Sequence, residues 1–208
     1  MSRGLVTTCV LSGIYAIVDA AEGDVLAQVD DVLAGGIRLL QYRSKAGIDR
    51  RILAEARIRT RAAGALVIVN DDLSAVVDAD GIHVGQEDLA LLDTTQLRAQ
   101  LGGKILGISC PDLTSARAAM LLGADYVGVG AMFATSTKAD AGAPIGAEGV
   151  RRVVAALDLP VAAIGGITAS NIREVRSTGA AMAAVITAIS RAPDRRAAAR
   201  ELVAAWAR

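Results

Sequence analysis

Short apolar runs rich in Val, Ile and Ala alternate along the whole chain with longer stretches in which apolar residues recur every three or four positions. The first pattern is that of a strand buried on both faces, the second that of an amphipathic helix. The runs predict eight strands, at residues 13–18, 39–43, 66–70, 81–84, 105–109, 126–129, 161–164 and 182–186. Helices are predicted between and after them, at 24–34, 49–63, 73–78, 94–101, 113–122, 147–156, 170–177 and 194–206. Asp24 and Ser170 stand where N-caps belong, and Gly35, Gly64 and Gly123 where helices should stop.

An internal echo supports this register. Asp78-Ala-Asp-Gly-Ile-His-Val-Gly85 recurs as Gly123-Ala-Asp-Tyr-Val-Gly-Val-Gly130, and more loosely as Gly179-Ala-Ala-Met-Ala-Ala-Val-Ile186. Each reads as a helix end, a tight turn and a buried strand. Eight strand–helix units in 208 residues fit an α/β fold of the (β/α)₈ TIM barrel type in a single domain, with a tail at 1–12 and the barrel at 13–208. No G-x-G-x-x-G follows the first strand, as a dinucleotide-binding open sheet would require.

Composition narrows the function classes. The 22 basic and 22 acidic residues cancel, and neither a basic run nor an aromatic platform is present, so nucleic acid is not an expected partner. Cys9 and Cys110 have no C-x-x-C spacing, which argues for a reduced, cytoplasmic setting. His83 is the only histidine, too few soft ligands for a conventional zinc site. The uncharged stretch 4–18 superficially resembles a signal peptide, but it is too short to span a bilayer and runs into a β-branched strand. No membrane role is expected.

In such a barrel, chemistry belongs to the C-terminal ends of the strands. Seven of the eight predicted ends carry polar groups: Gln41-Tyr-Arg43-Ser-Lys45, Asn70-Asp71-Asp72, His83 to Asp88, Ser109-Cys110, Gly130 to Lys138, Gly165-Gly166, and Ile186-Thr187. Any one of these has an ordinary structural reading as a cap, a turn or an exposed loop cation. Together, two cations, an Asn and two separated carboxylates at adjacent ends are what a Mg²⁺-diphosphate site needs, since Mg²⁺ takes one or two carboxylates and completes its octahedron with water and phosphate oxygens. The long 130–146 loop, with Thr135, Thr137 and Lys138, suits a phosphate and a closing flap. Gly165-Gly166 and Ile186-Thr187 lie after strands seven and eight, where barrels commonly bind phosphate. His83, inside an apolar run, reads as a buried structural histidine more readily than a catalytic one. Cys110 has no visible partner base.

These strand-end motifs, in this order, resemble those of the thiamine phosphate synthase family. The matching pieces are Gln41-x-Arg43-x-Lys45, Asn70-Asp71, His83-x-Gly-Gln-Glu-Asp88, Gly107-x-Ser109, Thr135-x-Thr137-Lys138, Gly165-Gly166-Ile167 and Thr187. The resemblance implies a transferase of thiamine biosynthesis. It would join a hydroxymethylpyrimidine diphosphate to a thiazole phosphate, with Mg²⁺, by a dissociative displacement that needs no protein nucleophile. Carried over, Gln41 would bind the pyrimidine; Arg43, Lys45, Asn70, Ser109 and Lys138 would hold the diphosphate, with Arg43, Lys45, Ser109 and Lys138 counted as catalytic. Asp71 and Asp88 would ligate Mg²⁺, and Thr135, Thr137, Gly166, Ile186 and Thr187 would bind the thiazole phosphate. The partners implied are these small molecules, and a homo-oligomer is compatible with the reading. Departures are modest: Thr187 stands where the family usually has Ser, and Ser136 where it usually has Pro. A thiazole tautomerase-like relative would not need Asn70, Asp71, Asp88 and Lys138. A phosphate sensor would be expected to lose the metal ligands, and a lyase would show a Lys or Glu acid/base pair.

Overall fold

A computed structural model describes residues 11–135 and 143–208. Its strands are β1 (Gly13–Asp19), β2 (Leu39–Arg43), β3 (Leu66–Asn70), β4 (Gly81–Val84), β5 (Ile105–Cys110), β6 (Tyr126–Val129), β7 (Val161–Ile164) and β8 (Met182–Val185). They pair in parallel in chain order, and β8 closes on β1. The helices are α1 (Val25–Ala34), α2 (Arg50–Ala62), α3 (Gln86–Leu89), α4 (Thr94–Gln100), α5 (Leu113–Leu121), α6 (Gly146–Ala156), α7 (Ile172–Ser177), α8 (Thr187–Ser190) and α9 (Arg195–Ala207). The fold is the expected (β/α)₈ barrel.

The period of two along each strand produces two separate apolar layers. Ile14, Ala16 and Val18 of β1 face out, into the large cluster between sheet and helices. Tyr15 and Ile17 face in, where they meet Leu39, Ile68, Tyr126 and Met182. Leu11, expected in the tail, belongs to this inner cluster and is 1% exposed. Removing it from water secures the barrel's entry end, and at ~25 cal/mol per Å² a buried Leu contributes roughly 1.5–3 kcal/mol.

Local signals hold at most ends. The Asp24 carboxylate accepts from Leu26 N and Ala27 N, and Asp49 caps α2 in the same way. One expectation needs correction. Ser170 is not a cap: α7 begins after Asn171, whose side chain turns back to accept from Thr168 N at 2.8 Å, while Ser170 bonds the Thr168 hydroxyl. Gly35 does end α1, as its C-cap with a φ of −75°, and the left-handed residue is the next one, Gly36 at +98°. Gly35 is small for another reason: a Cβ there would lie 2.3 Å from the Ala199 Cβ of α9.

The internal echo has a physical cause. Asp80 accepts from Val67 N at 2.9 Å and Asp125 from Leu106 N at 2.8 Å, each tying a turn to the start of the preceding strand. Each also pairs with an arginine, Arg57 and Arg98 respectively.

Candidate active site at the barrel mouth

The inward face of the strands changes from apolar to polar toward their C-terminal ends. On β2 the inward residues are Leu39, Gln41 and Arg43, and register sets Gln41 beside Ile17 and Arg43 beside Asp19. Asp19 is the site residue that the apolar run of β1 concealed. The strand continues one residue past Val18, so Asp19 shares the face of Tyr15 and Ile17, and all eight ends then carry polar groups. Asp19 is 4% exposed, and its carboxylate forms an ion pair with Arg43 and accepts from Ala21 N at 2.9 Å. A guanidinium has five N–H donors, so this pairing orients Arg43 and leaves donors for a second anion.

Deeper in, five strands contribute one continuous polar chain. Gln41 Nε2 donates to the Tyr15 hydroxyl at 2.8 Å, and Tyr15 and Tyr126 share a hydroxyl–hydroxyl bond of 2.8 Å. The Tyr126 hydroxyl meets His83 Nδ1 at 2.9 Å, and His83 Nε2 meets Ser109 Oγ at 2.9 Å. His83 is buried as expected, but it faces the interior and touches a predicted site residue. Burial pushes its pKa down to about 4 and raises those of both tyrosines, so the chain is uncharged at neutral pH. Glycines make the room. A Cβ on Gly107 would lie 2.1 Å from the Tyr126 ring, and one on Gly128 would lie 3.1 Å from His83 Cε1. The two tyrosine hydroxyls had no local signal, because single Tyr residues in apolar strands look like core.

Above this chain lie the carboxylates. Asp71 takes a left-handed φ of 58°, uncommon outside glycine but accessible to Asp. That turn lets Asp71 Oδ1 accept from Gly85 N at 2.7 Å while Oδ2 accepts from the Asn70 amide. Asp88 approaches from α3. A point 1.5 Å off the Gly85 Cα, where a Cβ would be, lies 3.5 Å from an Asp88 oxygen and 3.6 Å from an Asp71 oxygen. Burial raises the Asp71 pKa, and the Asp88 charge raises it further. Two hard oxygen donors facing one space and repelling each other suit a small divalent cation. Among the described residues no group of three His, Cys, Asp or Glu converges. Asp72 has a structural duty, accepting from Ala75 N and from the Ser74 hydroxyl.

The remaining expected site residues divide. Lys45 is exposed in the loop after β2, and Thr135 is half-buried after β6. Thr137 and Lys138 lie outside the described residues. Gly165 and Gly166 take φ of +101° and +65°, and a Cβ on Gly166 would come within 2.5 Å of Ala134 O. The close approach these glycines permit is therefore to the loop that follows β6, which donates Phe133 N to Gly165 O at 3.0 Å. Ile186 and Thr187 stand at the neighbouring strand end, with Thr187 opening α8. Cys110 points the other way from Ser109, is buried, and has its thiol pKa raised to about 12, as befits an inert thiol.

Residues 14–189 match the family model described as thiamine monophosphate synthase. The chain belongs to that family. It is 44% identical over 181 residues to a thiamine-phosphate synthase of Chloroflexus aurantiacus, covering 85% of this chain and 82% of that one. It is 46% identical over 183 residues to one from Moorella thermoacetica, covering 85% and 86%. A solved thiamine phosphate pyrophosphorylase from Pyrococcus furiosus superimposes with a TM-score of 0.85 at 34% identity, covering 95% and 96% of the two chains. This thiamine monophosphate synthase family member is thus an enzyme, a transferase of thiamine biosynthesis.

Proposed function

We propose that the enzyme condenses 4-amino-2-methyl-5-hydroxymethylpyrimidine diphosphate with thiazole phosphate, releasing diphosphate and forming thiamine phosphate. The observation that carries this reading is the pair Asp71 and Asp88 facing one space over Gly85, beside Asn70 and within electrostatic reach of Arg43. Asp71 and Asp88 would hold Mg²⁺, which would neutralise diphosphate charge as it develops on the leaving group.

The chain's own groups account for the rest. Arg43, oriented by Asp19, together with Lys45, Asn70, Ser109 and Lys138, supplies donors to the departing diphosphate, whose charge rises as the carbon–oxygen bond breaks. Gln41 meets the polar edge of the pyrimidine from inside the barrel. Thr135, Thr137, Gly166, Ile186 and Thr187 hold the thiazole phosphate, so that its ring nitrogen faces the carbon that loses diphosphate. No protein nucleophile is needed, which agrees with a neutral His83 and an inert Cys110. The reaction is a cytoplasmic one on small molecules, and among the described residues no helix is long and apolar enough to cross a membrane.

The test is an assay with both substrates and Mg²⁺, following thiamine phosphate and diphosphate. Equal release of the two products, abolished by EDTA and restored by Mg²⁺, is expected. Full turnover in EDTA, or diphosphate release without thiamine phosphate, would overturn the reading.

A further inference from the structure

The chain from Gln41 through Tyr15, Tyr126 and His83 to Ser109 has a direction. A phenol and a hydroxyl carry one proton each, and a neutral imidazole carries one on one of its two nitrogens. With Gln41 Nε2 donating to Tyr15, as the structure has it, the Tyr15 proton goes to Tyr126 and the Tyr126 proton to His83 Nδ1. Nδ1 is then an acceptor, so the ring proton sits on Nε2 and is donated to Ser109 Oγ. The Ser109 proton is left over.

In the opposite direction Gln41 would accept through Oε1, every link would reverse, and the Ser109 proton would be consumed by Nε2. Any mixture of the two leaves a buried proton without an acceptor, or lone pairs facing lone pairs, so the buried links favour a single direction throughout. The ring has no reason to take a second proton. His83 is 8% exposed, and among the described residues both its partners are hydroxyls.

We propose that His83 is a positioning residue, held by Tyr126 as the Nε2–H tautomer, so that Ser109 offers its proton to an anionic oxygen while Gln41 offers its carbonyl oxygen to the pyrimidine. This rests on the roles of Ser109 and Gln41 in the proposed reaction. It adds that the two contacts are coupled across the barrel: the direction that makes Ser109 a donor also sets which end of the Gln41 amide faces the ligand. A phosphate oxygen only accepts, so it is matched by one direction and rejected by the other. The Gln41 carbonyl oxygen then fits a donor such as the pyrimidine's exocyclic amine.

Because the chain contains a single histidine, nitrogen-15 spectra of histidine-labelled protein report this ring alone. The free wild-type enzyme at neutral pH is expected to show the Nε2–H tautomer. A predominant Nδ1–H tautomer, an averaged mixture or an imidazolium would overturn the proposal. Tyr126→Phe removes the donor to Nδ1 and is expected to give an averaged tautomer signal and a kcat lower by roughly tenfold, the scale of one hydrogen bond to a charged group. The same spectrum and kcat in a folded Tyr126→Phe enzyme would also overturn it. Should that variant fail to fold, the wild-type spectrum decides alone. Titration with inorganic diphosphate and Mg²⁺ separates this proposal from its premise. Calorimetry that detects no binding would count against the diphosphate site itself, whereas the tautomer of the free enzyme decides the direction of the chain.

Discussion

Replacing Asp71 by Asn separates what this carboxylate does for the fold from what it does for the reaction. Asn keeps the side chain's shape, tolerates the left-handed φ of 58° at this position, and retains an oxygen for the Gly85 N–H. The charge is lost. In the native protein burial and the neighbouring Asp88 raise the Asp71 pKa above its ordinary value. A carboxyl raised in the folded state contributes stability that is present below its ordinary pKa and lost as pH rises through the folded one, so at neutral pH the ionised Asp71 is a burden.

The two carboxylate oxygens lie 3.5 and 3.6 Å from one point over Gly85, hence at most about 7 Å apart. Like charges at that distance repel by about 2 kcal/mol at an effective dielectric constant of about 20. Solvent around the half-buried Asp88 cuts this to roughly 1 kcal/mol. The bond from the Asn70 amide is exchanged rather than lost, since that amide can rotate to present its oxygen to the new amide. Without Mg²⁺, Asp71→Asn should therefore melt at the wild-type temperature or up to about 4 °C above it, at 2–4 °C per kcal/mol for a chain of this size. Turnover should fall by at least about a hundredfold, and the stabilisation that Mg²⁺ plus diphosphate gives the wild type should vanish. Scanning calorimetry with and without Mg²⁺, alongside the product assay, measures all three. A melting temperature lowered by about 5 °C or more in EDTA, or turnover within about twofold of wild type, would show that Asp71 serves the loop rather than the metal.

Gln41→Leu keeps approximate size but leaves the Tyr15 hydroxyl without its donor, at a cost of about 1 kcal/mol; the KM for the pyrimidine diphosphate should rise about tenfold or more with thiazole phosphate affinity unchanged, and calorimetric titration of each ligand checks the split. Gly107→Ala places a methyl 2.1 Å from the Tyr126 ring and should lower stability by about 1–3 kcal/mol in urea unfolding, whereas an unchanged midpoint would mean the ring has room to move. Gly166→Ala brings a methyl within 2.5 Å of Ala134 O at a left-handed φ, so the loop after β6 must shift; thiazole phosphate affinity should fall more than pyrimidine diphosphate affinity, and equal losses would count against the assignment.

The sequence by itself determined the barrel and most of the site inventory. Eight apolar runs, with helical periodicity between them, predict the parallel sheet, because a strand covered on both faces has no other pattern. Five of the eight predicted strand ranges coincide with the observed ones; the others differ by one residue at the C-terminal end. Polar residues at strand ends were legible because only one end of such a barrel carries chemistry. Ser170 was misread, and the packing role of Gly35 was not seen, because a cap or stop residue can be named from composition, whereas its neighbours in space cannot. Asn171 turned back on Thr168, and Ala199 of a distant helix claimed the space at Gly35.

Only the tertiary structure decided who meets whom. Tyr15 and Tyr126 are 111 positions apart and looked like core until barrel closure set their hydroxyls 2.8 Å from each other. Arg43 was legible as a site cation, but its pairing with Asp19 was not until register placed the two side by side. His83 was readable as buried, but its partners come from β5 and β6. Periodicity fixes which face of an element a residue occupies, whereas a hydrogen bond depends on distances set by how all eight strands close. The direction of a proton chain therefore exists only once the barrel has formed.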